Sequence, residues 1–152
     1  MLDGSNMTPG ERLWHAVVEA GYNTYGAVFE QSFVQGVLGI EVPDIGTRKQ
    51  FQRLDLLEVS AVDYVRIKLL DQGMALKLSD GLYRVPLPSE NSDVIDNWLA
   101  SANRKLRRAD RLRRNTNATD PSGAPDQMAA RILAHEEAIK SAKSHSSKMG
   151  GQ

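Results

Sequence analysis

Leu56-Leu57-Glu58-Val59-Ser60-Ala61-Val62-Asp63-Tyr64-Val65-Arg66-Ile67-Lys68-Leu69-Leu70-Asp71-Gln72-Gly73-Met74-Ala75-Leu76 is the stretch on which the fold turns. Val62, Val65 and Leu69 recur at steps of three and four, which puts them on one face of a helix. Ser60 suits the cap of that helix, and Gly73 its end. Upstream, Thr47 caps another helix, whose Phe51, Leu54 and Leu57 point inward while Arg48, Lys49 and Arg53 point to solvent. Val59-Ser60 reads as a break, so two helices are expected to meet at a short turn. After Gly73 the period changes. Ala75 to Leu78 and Leu82 to Val85 flank Ser79-Asp80-Gly81, and an Asp-Gly between two β-like runs predicts a hairpin that Pro86 and Pro88 terminate.

Toward the N-terminus, Thr8-Pro9-Gly10-Glu11 has the spacing of a capping box with proline at the first helical position. A helix follows, with Leu13, Val17 and Ala20 on one face and Trp14 and Val18 beside them, and Gly21 stops it. From Thr24 to Ile40 the spacing of Val28, Phe29, Phe33, Val37 and Leu38 predicts one imperfect helix despite Gly26, Gly36 and Gly39. Glu41 to Gly46 reads as a loop or short edge strand.

The order helix, helix, turn, helix, hairpin between Thr8 and Val85 resembles the winged-helix superfamily, and Leu56 to Leu76 is similar to the second and third helices of bacterial regulators of the MarR and GntR type. The resemblance covers about half the chain. It implies a recognition helix presenting Asp63, Tyr64, Ile67 and Lys68 to the major groove, with Lys77 and Arg84 touching phosphate from the wing. Asp63 and Ile67 depart from what a phosphate- or base-reading face presents. A winged helix that binds protein has the same pattern.

Charge locates the other candidate element. The chain of 152 residues carries nineteen basic and nineteen acidic side chains, yet Met1 to Gly46 sums to minus five and Val85 to Asn103 to minus three. Then Arg104, Lys105, Arg107, Arg108, Arg111, Arg113 and Arg114 stand against Asp110 alone. They close a predicted long helix, 91–114, in which Ile95, Leu99, Ala102, Leu106 and Ala109 form a narrow apolar seam. Guanidinium groups pair bidentately with phosphate oxygens and release counterions as they do so. The arginines are read as surrounding the helix except along the seam. Trp98 is read as a packing anchor in preference to a base-stacking platform. The Leu99/Leu106 seam closes a homodimer or packs internally; two heptads do not distinguish these.

Several classes are excluded. With no cysteine there is neither disulfide nor thiolate metal site. His135-Glu136 opens like a zinc-protease motif, but the second histidine position holds Ile139. No phosphate-loop glycine pattern and no nucleophile elbow is present. Residues 1–7 are polar, and no apolar run reaches the roughly 20 residues that cross a bilayer.

The expectation is therefore a mainly α protein with a small β-hairpin: a leader at 1–7, a winged-helix-like domain at 8–88, a basic amphipathic helix at 91–114, a linker at 115–125, and a marginal helix and disordered arm at 126–152. Function is expected to be nucleic-acid binding, DNA ahead of RNA, in the cytoplasm, with no cofactor, metal, membrane or catalytic residue. A small body with a flexible arm suits a bacterial or phage-type regulator, replication accessory or packaging factor, and the sequence does not choose among them. The contact residues are Arg48, Lys49, Arg53, Tyr64, Lys68, Lys77 and Arg84, joined by Arg104, Lys105, Arg107, Arg108, Arg111, Arg113 and Arg114. The competing class is an adaptor in which Tyr64 and Ile67 touch protein and the basic helix meets an acidic partner.

Overall fold

Thr8 starts the first helix, α1, Pro9–Glu19, as its sequence dictates. Its Oγ accepts the Glu11 backbone N–H at 3.3 Å, and the Glu11 carboxylate accepts the Thr8 N–H at 2.7 Å. Thr47 does the same with Gln50 at the start of the third helix. The computed structural model describes residues 6–117 and 125–149. Its elements in chain order are α1, β1 (Val28–Glu30), α2 (Gln31–Leu38), α3 (Arg48–Asp71), β2 (Lys77–Ser79), β3 (Leu82–Arg84), α4 (Asn91–Asn117) and α5 (Pro125–Met149), with a single 3₁₀ turn at Pro88–Glu90. The protein is mainly α with a small three-stranded sheet.

The expected break at Val59-Ser60 does not exist: α3 is continuous over 24 residues. Ser60 caps nothing, because its hydroxyl donates back to the Leu57 carbonyl at 3.3 Å, the arrangement by which a serine is accommodated inside a helix. Val59 is exposed, so its branched side chain crowds nothing. The helix-propensity deficit of these residues is about 0.5 kcal/mol each. Fully burying one neighbour such as Val62 or Leu69 contributes about 1.5–3 kcal/mol. Packing wins.

The second difference lies between Thr24 and Ile40, where the single expected helix is a strand followed by a shorter helix. Strand β1 pairs antiparallel with β3, with Val28 opposite Arg84 and Phe29 opposite Tyr83, so the sheet order is β1-β3-β2. The β2–β3 hairpin falls where Asp80-Gly81 predicts it. Both residues have positive φ, 51° and 75°, as a two-residue turn that matches strand twist requires.

The chain divides into two compact units, Met1–Asn91 and Ser92–Gln152. The first holds a core of Leu13 and Val17 from α1, Val34 and Leu38 from α2, Ala61, Val62, Val65 and Leu69 from α3, and Phe29, Tyr83 and Val85 from the sheet region. Tyr22 stacks on Phe29 at 4.9 Å, and Phe29 on Tyr83 at 5.4 Å. Inside this apolar shell sits one carboxylate, Glu58, only 7% exposed. It accepts from Gln31 Nε2 at 2.6 Å, Tyr83 Oη at 3.1 Å and, longer, Gln35 Nε2 at 3.5 Å. α3, α2 and the sheet are thus tied at one charged point. Burial and the Glu58 carboxylate push the Tyr83 hydroxyl pKa up, which keeps it a donor.

In the second unit α4 extends through Asn117, three residues past the expected end, and α5 runs to Met149, so Ser144 to Met149 is helix where a disordered arm was expected. Ala109, Leu112 and Thr116 of α4 and Met128, Ile132 and His135 of α5 border a cleft of about 420 Å³. The central part of the expected linker, 118–124, lies outside the described residues. No helix among the described residues is long and apolar enough to cross a membrane.

Candidate nucleic-acid interface

Helix geometry decides which of the cations in α4 act together. At about 100° per residue, Arg104, Arg107, Arg108, Arg111 and Arg114 fall within an arc of about 120°, opposite the line through Leu99, Leu106 and Arg113. All five are exposed. No carboxylate among the described residues lies within ion-pair distance of Arg104, Arg107, Arg108 or Arg111, nor of Lys105 on the flank. The acidic members of the same face, Asp93 and Asp96, precede Arg104 by at least two turns, so the cationic footprint occupies only the C-terminal end.

The arginines do not surround the helix. Arg113 sits on the partly buried line, its side chain 19% exposed, and its guanidinium bonds Asp110 Oδ1 at 2.9 and 3.2 Å. Asp110 also accepts from Arg114 Nη2 at 2.7 Å. The Arg113 hydrogen bonds, ahead of the charge of Arg114, hold the Asp110 carboxyl below the ordinary range. Arg113 is accordingly a structural cation and leaves the expected group of phosphate-binding residues, and Arg114 is half engaged. Leu99 and Leu106 of the expected dimer seam are partly buried.

A second cationic group opens α3. Arg48, Lys49 and Arg53 are exposed at the start of the helix, and Leu54 is its first residue packed against the core. Gln52 is exposed between them, a position the residue pattern does not single out although it lies one turn after Arg48. The field here is mixed. Arg53 borders a groove of about 490 Å³ with Glu41 and Asp44 of the α2–α3 loop, and Asp55 is exposed nearby. Three cations against three acids make a weaker anion site than the α4 face.

The remaining candidates are not brought to either group. Tyr64 was expected to face outward, but it is half-buried: a Cβ built on Gly10 would lie 2.7 Å from the Tyr64 Cβ. Lys68 Nζ lies over the Tyr64 ring at 5.5 Å from its centre, about 22 Å along the helix from Arg53. Lys77 and Arg84 are cross-strand partners. Arg84 is clamped by Glu90 through two hydrogen bonds of 2.8 and 2.9 Å, so this hairpin cation is already neutralised. Sequence spacing could not show Glu90 as its partner, because a proline-bounded turn brings it back. No group of three or more His, Asp or Glu side chains among the described residues could hold a metal ion.

The Arg84 pair carries a pH signature. Its hydrogen bonds, followed by the Leu87 N–H, lower the Glu90 pKa from 4.5 to about 2. A carboxyl depressed by folding adds stability above its unfolded pKa, and that stability is lost as pH falls from about 4.5 toward 2. Urea unfolding of wild type and Glu90→Gln is therefore expected to show a gap near pH 6 that shrinks on acidification to about pH 3. A gap that stays constant or widens contradicts the pairing.

No protein-family model, curated protein or solved structure matches this chain.

Proposed function

We propose that the chain is a non-enzymatic nucleic-acid-binding protein, in which residues 8–88 form a winged-helix-like module and the α4 arginine face supplies the main phosphate contact. One observation carries the reading: four exposed arginines, Arg104, Arg107, Arg108 and Arg111, share one helix face with no ion-pair partner among the described residues. Among the described residues their charge is uncompensated, whereas those of Arg84 and Arg113 are answered within the molecule. The winged-helix part draws support from the order α1-β1-α2-α3-hairpin and from a sheet in which the hairpin joins β1. Within it the reading head moves. The second helix of a helix-turn-helix pair contacts bases with its N-terminal residues, which here are Arg48, Lys49, Gln52 and Arg53 at the free end of α3, in place of Tyr64 and Lys68.

Titration of a labelled DNA duplex from about 50 to 200 mM salt tests the reading. Replacing Arg107, Arg108 and Arg111 together by Ala is expected to flatten the log–log salt slope by about 0.9 for each phosphate no longer neutralised. No binding to duplex DNA, single-stranded DNA or RNA by the wild type at low salt overturns it.

A specific observation favours a second reading, an adaptor that docks an acidic protein partner. Leu56, Val59, Ile67 and Leu70 are each more than half exposed and lie within about 80° of one another on the outer side of α3, with Asp63 among them. An apolar stripe of this kind marks a protein contact more often than a phosphate contact.

A further inference from the structure

Resting on the nucleic-acid reading, we infer that the α4 arginine face selects a double helix over a single strand and holds it by its phosphates without stacking on bases. From Arg104 to Arg114 the face advances about 15 Å along a straight helix. The guanidinium roots therefore keep fixed spacings, which suits phosphates that are themselves held in place. A duplex offers one negative charge per roughly 1.7 Å of axis and releases about 0.9 counterion per phosphate, against about 0.7 for a single strand. Fewer charges and the cost of ordering a flexible chain leave the single strand behind unless something else compensates. That compensation is base stacking on aromatic side chains, about 1–3 kcal/mol per base.

The arginine arc has no aromatic residue to supply it. Trp98, the only aromatic residue of α4, is 52% exposed but lies about 140° around the helix from the middle of the arc and more than one turn before Arg104. Leu112 is exposed about 100° away from that middle. The side chains on the arc between Arg104 and Asn115 are arginines, with Asn115 the one neutral member. Such a face has the means to hold a phosphate array and lacks the means to hold an unpaired base.

The phosphates of duplex DNA and of duplex RNA present the same chemistry, and the test separates the two sources. The 152-residue chain is titrated at low salt with a DNA duplex, an RNA duplex of the same sequence, and the single DNA strand. Either duplex is expected to bind at least tenfold tighter than the single strand, and the tighter duplex identifies the source. Trp98→Ala is expected to leave duplex affinity within twofold, whereas Arg104→Ala with Arg111→Ala weakens it and flattens its salt slope. A single strand that binds as tightly as the duplexes, or a Trp98→Ala protein that loses nucleic-acid affinity fivefold or more while remaining folded by circular dichroism, overturns duplex selection and leaves the nucleic-acid reading standing. Absence of binding to all three probes overturns both.

Discussion

Glu58→Ala is expected to destabilise the first unit by about 3–4 kcal/mol, from the loss of hydrogen bonds to a charged group and the void left behind. Among the described residues the carboxylate is the only acceptor for the Tyr83 hydroxyl, and Tyr83 is 2% exposed, so deletion strands a donor in the core. Gln31 and Gln35 lose the same partner but are only half-buried and can turn toward water. Tyr83 therefore dominates the penalty. In a domain whose total stability is on the order of 5–15 kcal/mol, this is a large share. Glu58→Gln keeps an acceptor and should cost about half as much. Adding Tyr83→Phe to Glu58→Ala removes the orphaned hydroxyl and should recover about 1 kcal/mol, so the two positions will couple in a double-mutant cycle. Denaturant midpoints at constant slope measure all of these. If Glu58→Ala unfolds within about 0.5 kcal/mol of wild type, the surface-mutation range, Glu58 does not tie α3, α2 and the sheet together.

The second large effect concerns Gly10, and it opposes helix propensity. Alanine exceeds glycine by about 1 kcal/mol inside a helix, so propensity alone makes Gly10→Ala stabilising. Sterics give the other sign. The new Cβ would meet Tyr64 Cβ at 2.7 Å and Cγ at 2.8 Å, closer than carbon atoms approach, and α1 would have to move off α3. Overpacking of this kind costs about 1–3 kcal/mol, so Gly10→Ala is expected to lose about 1–2 kcal/mol, and Gly10→Val more. Truncating Tyr64 to Ala should give little rescue, because the closest contact is to the Cβ that every residue except glycine carries. Gly36 is the internal control. It lies in α2 with nothing within 4 Å of a built Cβ, so Gly36→Ala should stabilise by about 0.5–1 kcal/mol. Thermal or urea unfolding of the pair decides: a Gly10→Ala protein at least as stable as wild type is incompatible with the close packing of α1 on α3.

What the sequence made legible was whatever depends on neighbours in the chain. The capping box at Thr8, the cap at Thr47 and the Asp80-Gly81 turn formed where their residues placed them, since each is settled within four residues. Val62, Val65 and Leu69 face inward as their spacing predicted. The errors arose where a distant partner decided the outcome. Val28 to Glu30 is a strand because β3, more than fifty residues later, offers it an edge, and nothing in a three-residue run announces that. Val59-Ser60 looked like a boundary because local propensity was counted without the core that overrides it.

The candidate site divides in the same way. Charge clustering in α4 was visible by counting, but the count could not distinguish cations facing solvent from those already answered. Arg113 is answered three residues away by Asp110, a spacing open to inspection once the helix face is known. Arg84 is answered by Glu90 across a bend, which depends on tertiary placement, whereas Lys68 lies over the ring of Tyr64 four residues earlier, a local helical spacing. Buried Glu58 lies four residues before Val62 and seven before Val65, on the same inward stripe, but the expected break at Val59-Ser60 separated it from them.

The unbroken α3 has a mechanical corollary. Its exposed head at Arg48 and its anchored end at Leu69 belong to one hydrogen-bonded rod, about 30 Å apart, with no joint to absorb displacement. Anything that grips the head restrains the whole rod, so amide exchange should slow as far as the Leu69 turn, well beyond the gripped residues.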